Sequence, residues 1–153
     1  ALAVHEVHSQ ERRHGNVDDL TLAARWFFLG LVAVCFVASD SPVLPYVPAL
    51  SLATLGAVAA WSVFDDHPFT TTIARRTTPE EVWDLPLFTD VNRRISTAWA
   101  LSLLATAAVC AALIAVAPAA TGLWVTAEAI GFATPVVWTA VERRAARSRF
   151  TAA

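Results

Sequence analysis

Four apolar stretches separated by polar punctuation organise this chain of 153 residues. They cover about 20–39, 43–63, 95–117 and 121–141, each close to the ~20 residues that carry a helix across a bilayer. In the first, the uninterrupted apolar run extends only from Trp26 to Ala38. A spanning helix there must take in Arg25, whose long side chain snorkels back to the headgroups. The second carries Pro45 and Pro48 near its start, where helix amides lack partners anyway. The third stops at Pro118. The pattern predicts an all-α, polytopic four-transmembrane-helix bundle, flanked by a polar segment 1–19, a central loop 64–94 and a tail 142–153.

Charge sets the orientation. All eleven basic residues are arginines, and each lies in one of three segments bracketing the apolar stretches. Arg12, Arg13 and Arg25 precede or open the first, Arg75, Arg76, Arg93 and Arg94 lie in the central loop, and Arg143, Arg144, Arg147 and Arg149 follow the fourth. The two short connections, 40–42 and 118–121, carry none. Positive charge collects on the cytoplasmic side, so both ends and the central loop are expected inside; the Ala-rich, lysine-free usage suggests a bacterial genome, and hence an inner membrane. Trp26, Trp61, Trp99 and Trp138 each fall near the inner end of a different span, whereas Trp124 and Tyr46 fall near outer ends. Interfacial aromatic belts occupy these depths.

Composition agrees. Hydrophobic residues make up 56% and charged residues 16%, against about a quarter charged in an average soluble domain. Mean hydropathy is +0.53. One bundle accounts for the length, so any chemistry must use the bundle, the loop or the ends. Methionine is absent, including at position 1, and an upstream segment is therefore expected. Cys35 and Cys110 sit inside predicted spans and read as small packing residues. Both fall in the outer half of their helices, which leaves a bridge as the alternative.

Glu128 is the one acidic residue inside a predicted span, and its cost at membrane depth makes a functional role the starting hypothesis. Helical spacing puts it on one face with Trp124, Gly131, Phe132 and Pro135. Span three offers a polar row at Ser102, Thr106 and Cys110, four residues apart, suited to close helix approach. Glu128 with Thr106 and Ser102 is the ion or proton candidate. The plainer reading, a protonated carboxyl bonded to a hydroxyl or carbonyl or a subunit contact, is preferred because relays need several groups.

Metal chemistry has little support. Asp65, Asp66 and His67 form a compact acidic and imidazole cluster, but neighbouring side chains rarely converge on one ion, and a solvated helix exit is preferred. His5 and His8, with Glu11 or His14, read as a solvated tail. No histidine or methionine lies within a span, which argues against a haem held in the core. No zinc-protease, nucleophile-elbow or phosphate-loop spacing occurs. Cofactors stay open, since a pigment or quinone held by aromatics leaves no motif.

The central loop is the most distinctive segment. Thr78-Pro79-Glu80-Glu81 supplies an N-cap, a proline at the first helical position and acidic residues in the first turn. A short helix is predicted there, carrying Val82 and Trp83 and broken by Pro86. Phe69, Ile73, Leu85, Leu87 and Phe88 are apolar and interleave with Arg75, Arg76, Arg93 and Arg94. This suits a segment lying on the inner leaflet or docking a partner protein.

The run His67-Pro68-Phe69-Thr70, Ala74-Arg75, Thr78-Pro79-Glu80-Glu81-Val82-Trp83, Pro86-Leu87-Phe88, Asn92-Arg93 and Trp99 resembles a family of small, uncharacterised bacterial inner-membrane proteins. The resemblance covers roughly the middle quarter of the chain. It implies a four-helix membrane protein and transfers no catalytic residue.

The expected function is a non-catalytic membrane subunit or scaffold. It would dock a larger membrane partner, another copy or lipid through bundle and loop, and bind no nucleic acid. The alternative is a small oligomeric proton- or ion-coupled transporter using Glu128. An enzyme is not expected, because no convergent acid, base and nucleophile set is visible.

Overall fold

The computed structural model describes residues 25–34 and 41–151, and every regular element among them is helical. The chain divides into two units, Ala1–Leu44 and Pro45–Ala153. In the first, α1 (Arg25–Val34) is an apolar helix, with Phe27 and Phe28 in an edge-to-face contact at 5.4 Å. The rest of the predicted first span, Cys35, and the tail with His5, His8, Glu11 and His14 lie outside the described residues.

The second unit holds α2 (Val47–Phe64), α3 (Phe69–Arg75), α4 (Pro86–Val116) and α5 (Thr121–Thr151). Single 3-10 turns at Leu44–Tyr46 and Glu80–Val82 precede α2 and α4. Three helical stretches, Leu44–Phe64, Pro86–Val116 and Thr121–Arg149, are long and apolar enough to cross a membrane. Four were expected, and the described part of α1 is shorter than the ~20 residues a span needs.

α4 is the central helix. It packs α2 and α5 antiparallel on different faces, and α3 lies against its first turns. Ala49 and Leu52 of α2 join Leu103, Ala107 and Cys110 of α4 in one buried cluster, with Trp124 and Ala127 of α5 against its edge. Val91 and Ile95 meet Ala146 in a second cluster at the opposite end. Close approach depends on missing side chains. A Cβ on Gly56 would lie 2.8 Å from Leu104 Cγ and 3.0 Å from its backbone nitrogen. Small residues at such crossings replace the hydrophobic drive that lipid does not supply.

Isolated hydroxyls inside apolar helices bond their own backbone. Thr54, Thr126 and Thr134 each donate to the carbonyl four residues earlier, at 2.6–2.9 Å. These three hydroxyls are thereby satisfied within their own helices, as an apolar surrounding requires.

Helix ends correct the sequence boundaries. α4 begins at Pro86, nine residues before the predicted 95. Pro86 therefore starts a helix and does not break one. Leu85 is extended (ψ 135°), as the residue before proline must be, and proline suits the first helical position. The predicted loop helix is only the 3-10 turn Glu80–Val82, with Pro79 at its N-cap. The Thr78 carbonyl instead accepts the Trp83 indole N–H at 3.0 Å. α5 runs through the predicted tail to Thr151, and Glu142 and Ala146 are buried there at 9% exposure each.

α2 ends at Phe64, one residue past the predicted 63, by a specific turn. His67 N–H bonds Ser62 O at 3.0 Å and Asp66 N–H bonds Val63 O at 3.3 Å. With Asp66 at φ 54°, this is a Schellman motif using aspartate where glycine is usual. The turn brings Asp66 to Arg93 of α4, Oδ1 to Nη1 3.0 Å.

Candidate functional site

Two polar features lie within the second unit. The first is the α4–α5 seam. Pro135 sits inside α5 and is fully buried. Lacking an amide, it cannot bond the Gly131 carbonyl four residues earlier. Ser102 Oγ donates to that carbonyl at 2.7 Å. One turn along, Thr106 Oγ1 donates to Ser102 O at 2.7 Å, and Cys110 Sγ lies 3.7 Å from Trp124 O. Below the proline, Trp99 Nε1 donates to Thr139 Oγ1 at 3.1 Å, and Thr139 donates to Pro135 O at 2.7 Å. The sequence's polar row is thus the face that receives α5. Trp99 is turned into this seam, where the sequence had set it in an interfacial belt.

Gly131 fits the seam because it has no side chain. A Cβ there would lie 2.0 Å from Thr106 Oγ1. Glu128 stands three residues before it, half-buried, and its Oε1 is buried with no hydrogen-bond partner among the described residues. The hydroxyl hydrogens of Ser102 and Thr106 are committed to carbonyls and do not serve it. The seam holds the three candidate residues on adjacent turns, with only the carboxylate left unengaged.

The second feature is the docked loop. α3 begins beneath α2 and α4, and hydroxyls from both receive its first amides. Phe69 N–H donates to Ser62 Oγ at 3.2 Å and Thr70 N–H to Ser96 Oγ at 3.4 Å. Thr70 Oγ1 donates to Asn92 O at 2.9 Å and lies 2.8 Å from Ser96 Oγ. Asn92 Nδ2 donates to Phe88 O at 2.8 Å. Thr70, Asn92 and Ser96 are all buried. Thr70 and Asn92 stood in the distinctive loop run of the sequence without an assigned role, and Ser96 was not singled out, although Phe88, Asn92 and Ser96 recur every four residues on one face of α4.

The predicted contact residues divide accordingly. Phe88 is buried, at 6% exposure, and is not part of an outward apolar surface. It lies on the face of α4 that α3 covers, which the sequence could not reveal while that stretch read as loop. Leu87 packs against the Val91, Ile95 and Ala146 cluster, and Phe69 is half-buried. Arg75 lies over the Trp83 ring at 5.3 Å, a cation–π contact that holds both sides of the loop together. Arg76, Arg93 and Arg94 are exposed. Between the end of α2 and the start of α4, the outward large apolar positions are Ile73 and Leu85, 52% and 40% exposed.

Asp65, Asp66 and His67 do not converge. Asp66 pairs with Arg93, while His67 Nδ1 lies 2.5 Å from the Asp65 carbonyl oxygen and 3.4 Å from its carboxylate. Among the described residues no group of three or more His, Cys, Asp or Glu side chains could hold a metal ion. Cys110 is free and fully buried.

Because α2, α4 and α5 alternate in direction, Arg93 and Arg94 share one end of the unit with Arg143, Arg144, Arg147 and Arg149. The other end, with Tyr46 and the 118–120 turn, carries no arginine. Within the second unit, the arginines of α4 and α5 thus gather at one end. No protein family matches the chain, and neither a curated protein nor a solved structure matches it.

Proposed function

We propose that the chain is a non-catalytic integral membrane subunit or scaffold. In this reading it forms a four-span bundle in a bacterial inner membrane, with both ends and the loop cytoplasmic. It docks a larger membrane partner through the loop, and lipid surrounds the bundle. The arginine-bearing end supports the orientation.

One observation carries the reading: the loop is docked, yet keeps apolar residues turned outward. Ser62, Ser96 and Thr70 fix α3 to the bundle by four hydrogen bonds of 2.8–3.4 Å. Ile73 and Leu85 stay exposed on that fixed frame. A segment built only to connect α2 with α4 has no need of buried polar anchoring. A rigid platform with apolar contacts suits recognition, since little conformational entropy is lost on binding.

The test places a photo-crosslinking residue at position 73 or 85 in cells. A discrete adduct with one larger membrane protein, absent when the probe sits at exposed Thr72, is the expected result. Adducts with lipid alone, or none, would overturn the reading.

Glu128 supports a second reading, a small oligomeric proton- or ion-coupled transporter. Its buried, unpartnered oxygen is what favours this. Flux in proteoliposomes that Glu128→Gln abolishes would carry it. Absence of flux in the parent protein would end it.

A further inference from the structure

An open groove of about 480 Å³ lies where α4 and α5 leave their apolar stretches. Along α4 its lining changes in order. Leu101 lies farthest into the apolar stretch, then Thr97, then Arg94 with Arg93 beside it, and Asp90 comes last; Trp138 of α5 lines the groove from the other helix. At a rise of ~1.5 Å per residue, about 10 Å separates Leu101 from Arg94 and about 6 Å separates Arg94 from Asp90. The wall therefore runs from apolar to hydroxyl to guanidinium to carboxylate.

The two charges beside one another do not neutralise each other. Asp90 and Arg94 are one helical turn apart, yet neither makes an ion pair among the described residues. Arg93 spends one N–H on Asp66 and keeps other donors of its guanidinium. Leu101 and Trp138 are 64% and 45% exposed, so the groove opens sideways, toward lipid in the membrane reading. A ligand that fits has an apolar chain at the Leu101 end, an anion in the middle and a cation carrying N–H groups at the outer end.

We infer that this groove binds one glycerophospholipid with a primary-amine headgroup, of the phosphatidylethanolamine class. The phosphate accepts hydrogen bonds from Arg94 and Arg93, and the terminal ammonium donates to the Asp90 carboxylate. An acyl chain lies along Leu101, and Trp138 sits at the ester level, where interfacial aromatics collect. A headgroup lacking N–H cannot donate to Asp90, and an anionic glycerol headgroup brings no positive charge to it. The inference rests on the membrane reading but not on partner docking at Ile73 and Leu85.

Native mass spectrometry of the full chain in mild detergent tests it. Phosphatidylethanolamine, phosphatidylglycerol and phosphatidylcholine with identical acyl chains are added in turn. The parent chain should retain phosphatidylethanolamine about fivefold over either other lipid, the upper range of an exposed ion pair. Asp90→Asn should erase that preference while leaving total retention of phosphatidylcholine unchanged. Arg94→Gln should reduce retention of all three, whereas Arg76→Gln, outside the groove, should change nothing. Equal retention of the three lipids by the parent chain would overturn the inference. So would a preference for phosphatidylglycerol, or an Arg76→Gln loss as large as that of Arg94→Gln. Helicity and elution volume are measured for each variant, and Asp90 and Arg94 are exposed enough for both substitutions to fold. Failure of the crosslinking at positions 73 and 85 would leave these outcomes unaffected, so the two readings fall separately.

Discussion

The Ser102 hydroxyl takes the place of the amide that Pro135 lacks, donating to Gly131 O at 2.7 Å. A proline within a spanning helix frees a carbonyl that lipid cannot satisfy, and a neighbouring helix supplies the donor. Ser102→Ala should therefore cost about 1 kcal/mol, in the range of hydrogen bonds between membrane helices. Pro135→Ala restores the backbone donor, so Ser102→Ala made on that background should cost much less. Unfolding of the four proteins in detergent gives the double-mutant cycle. Equal costs on both backgrounds would show that Ser102 and Pro135 act independently.

The two glycine crossings differ in how tightly they are closed. At Gly131 an added methyl meets Thr106 at 2.0, 2.6 and 2.8 Å, three atoms near the root of a stiff side chain. At Gly56 it meets Leu104 at 2.8–3.0 Å, partly at a side chain able to shift. Gly131→Ala should destabilise by about 3 kcal/mol and Gly56→Ala by about 1–2 kcal/mol, the range for forced overpacking. Thr106→Ala should recover part of the Gly131→Ala loss and none of the Gly56→Ala loss. Thermal melts monitored by helicity decide the order.

What the sequence disclosed and what it hid follow from two kinds of signal. Apolar runs and the arginine partition act over whole segments, so three helices long and apolar enough to cross a membrane, and the charged end of the second unit, could be read directly. The row Ser102, Thr106 and Cys110 could also be read as a helix-packing face, because its four-residue spacing survives without tertiary knowledge. Pro86 misled, since a proline both ends one helix and opens another, and only the extended Leu85 decides which. Phe88 and Thr70 were illegible for a related reason. Once 86–94 reads as loop, the face that joins Phe88, Asn92 and Ser96 does not exist on paper. Glu142 looked like a tail charge because α5 outlasts its apolar stretch by ten residues.

Anchoring of α3 runs through Thr70. Thr70→Val keeps the shape and removes its bonds to Asn92 O and Ser96 Oγ, leaving a buried carbonyl and hydroxyl short of a partner. Such groups cost about 1–3 kcal/mol each when buried. The expected outcome is local: amides of 69–77 exchange faster by at least tenfold, while those of α4 beyond Ala100 keep their protection. Uniformly faster exchange along all helices would mean that α3 is part of the global core and not a separately docked platform.

Glu128 places a carboxylate oxygen in the α4–α5 seam without a hydrogen-bond partner among the described residues. A buried polar group left unpaired costs about 1–3 kcal/mol by protein mutational measures. An apolar residue of similar length removes that cost while keeping the side chain's bulk at the seam. Glu128→Leu should therefore raise the midpoint of thermal unfolding of the purified chain, and Glu128→Gln should leave it nearly unchanged. The opposite order has a definite meaning. If Glu128→Leu lowers the midpoint in the assembled protein, the carboxylate has a partner beyond the described residues, in the same chain or in a second copy. Repeating the melt across a hundredfold range of protein concentration separates those two sources, because only a contact between copies weakens on dilution.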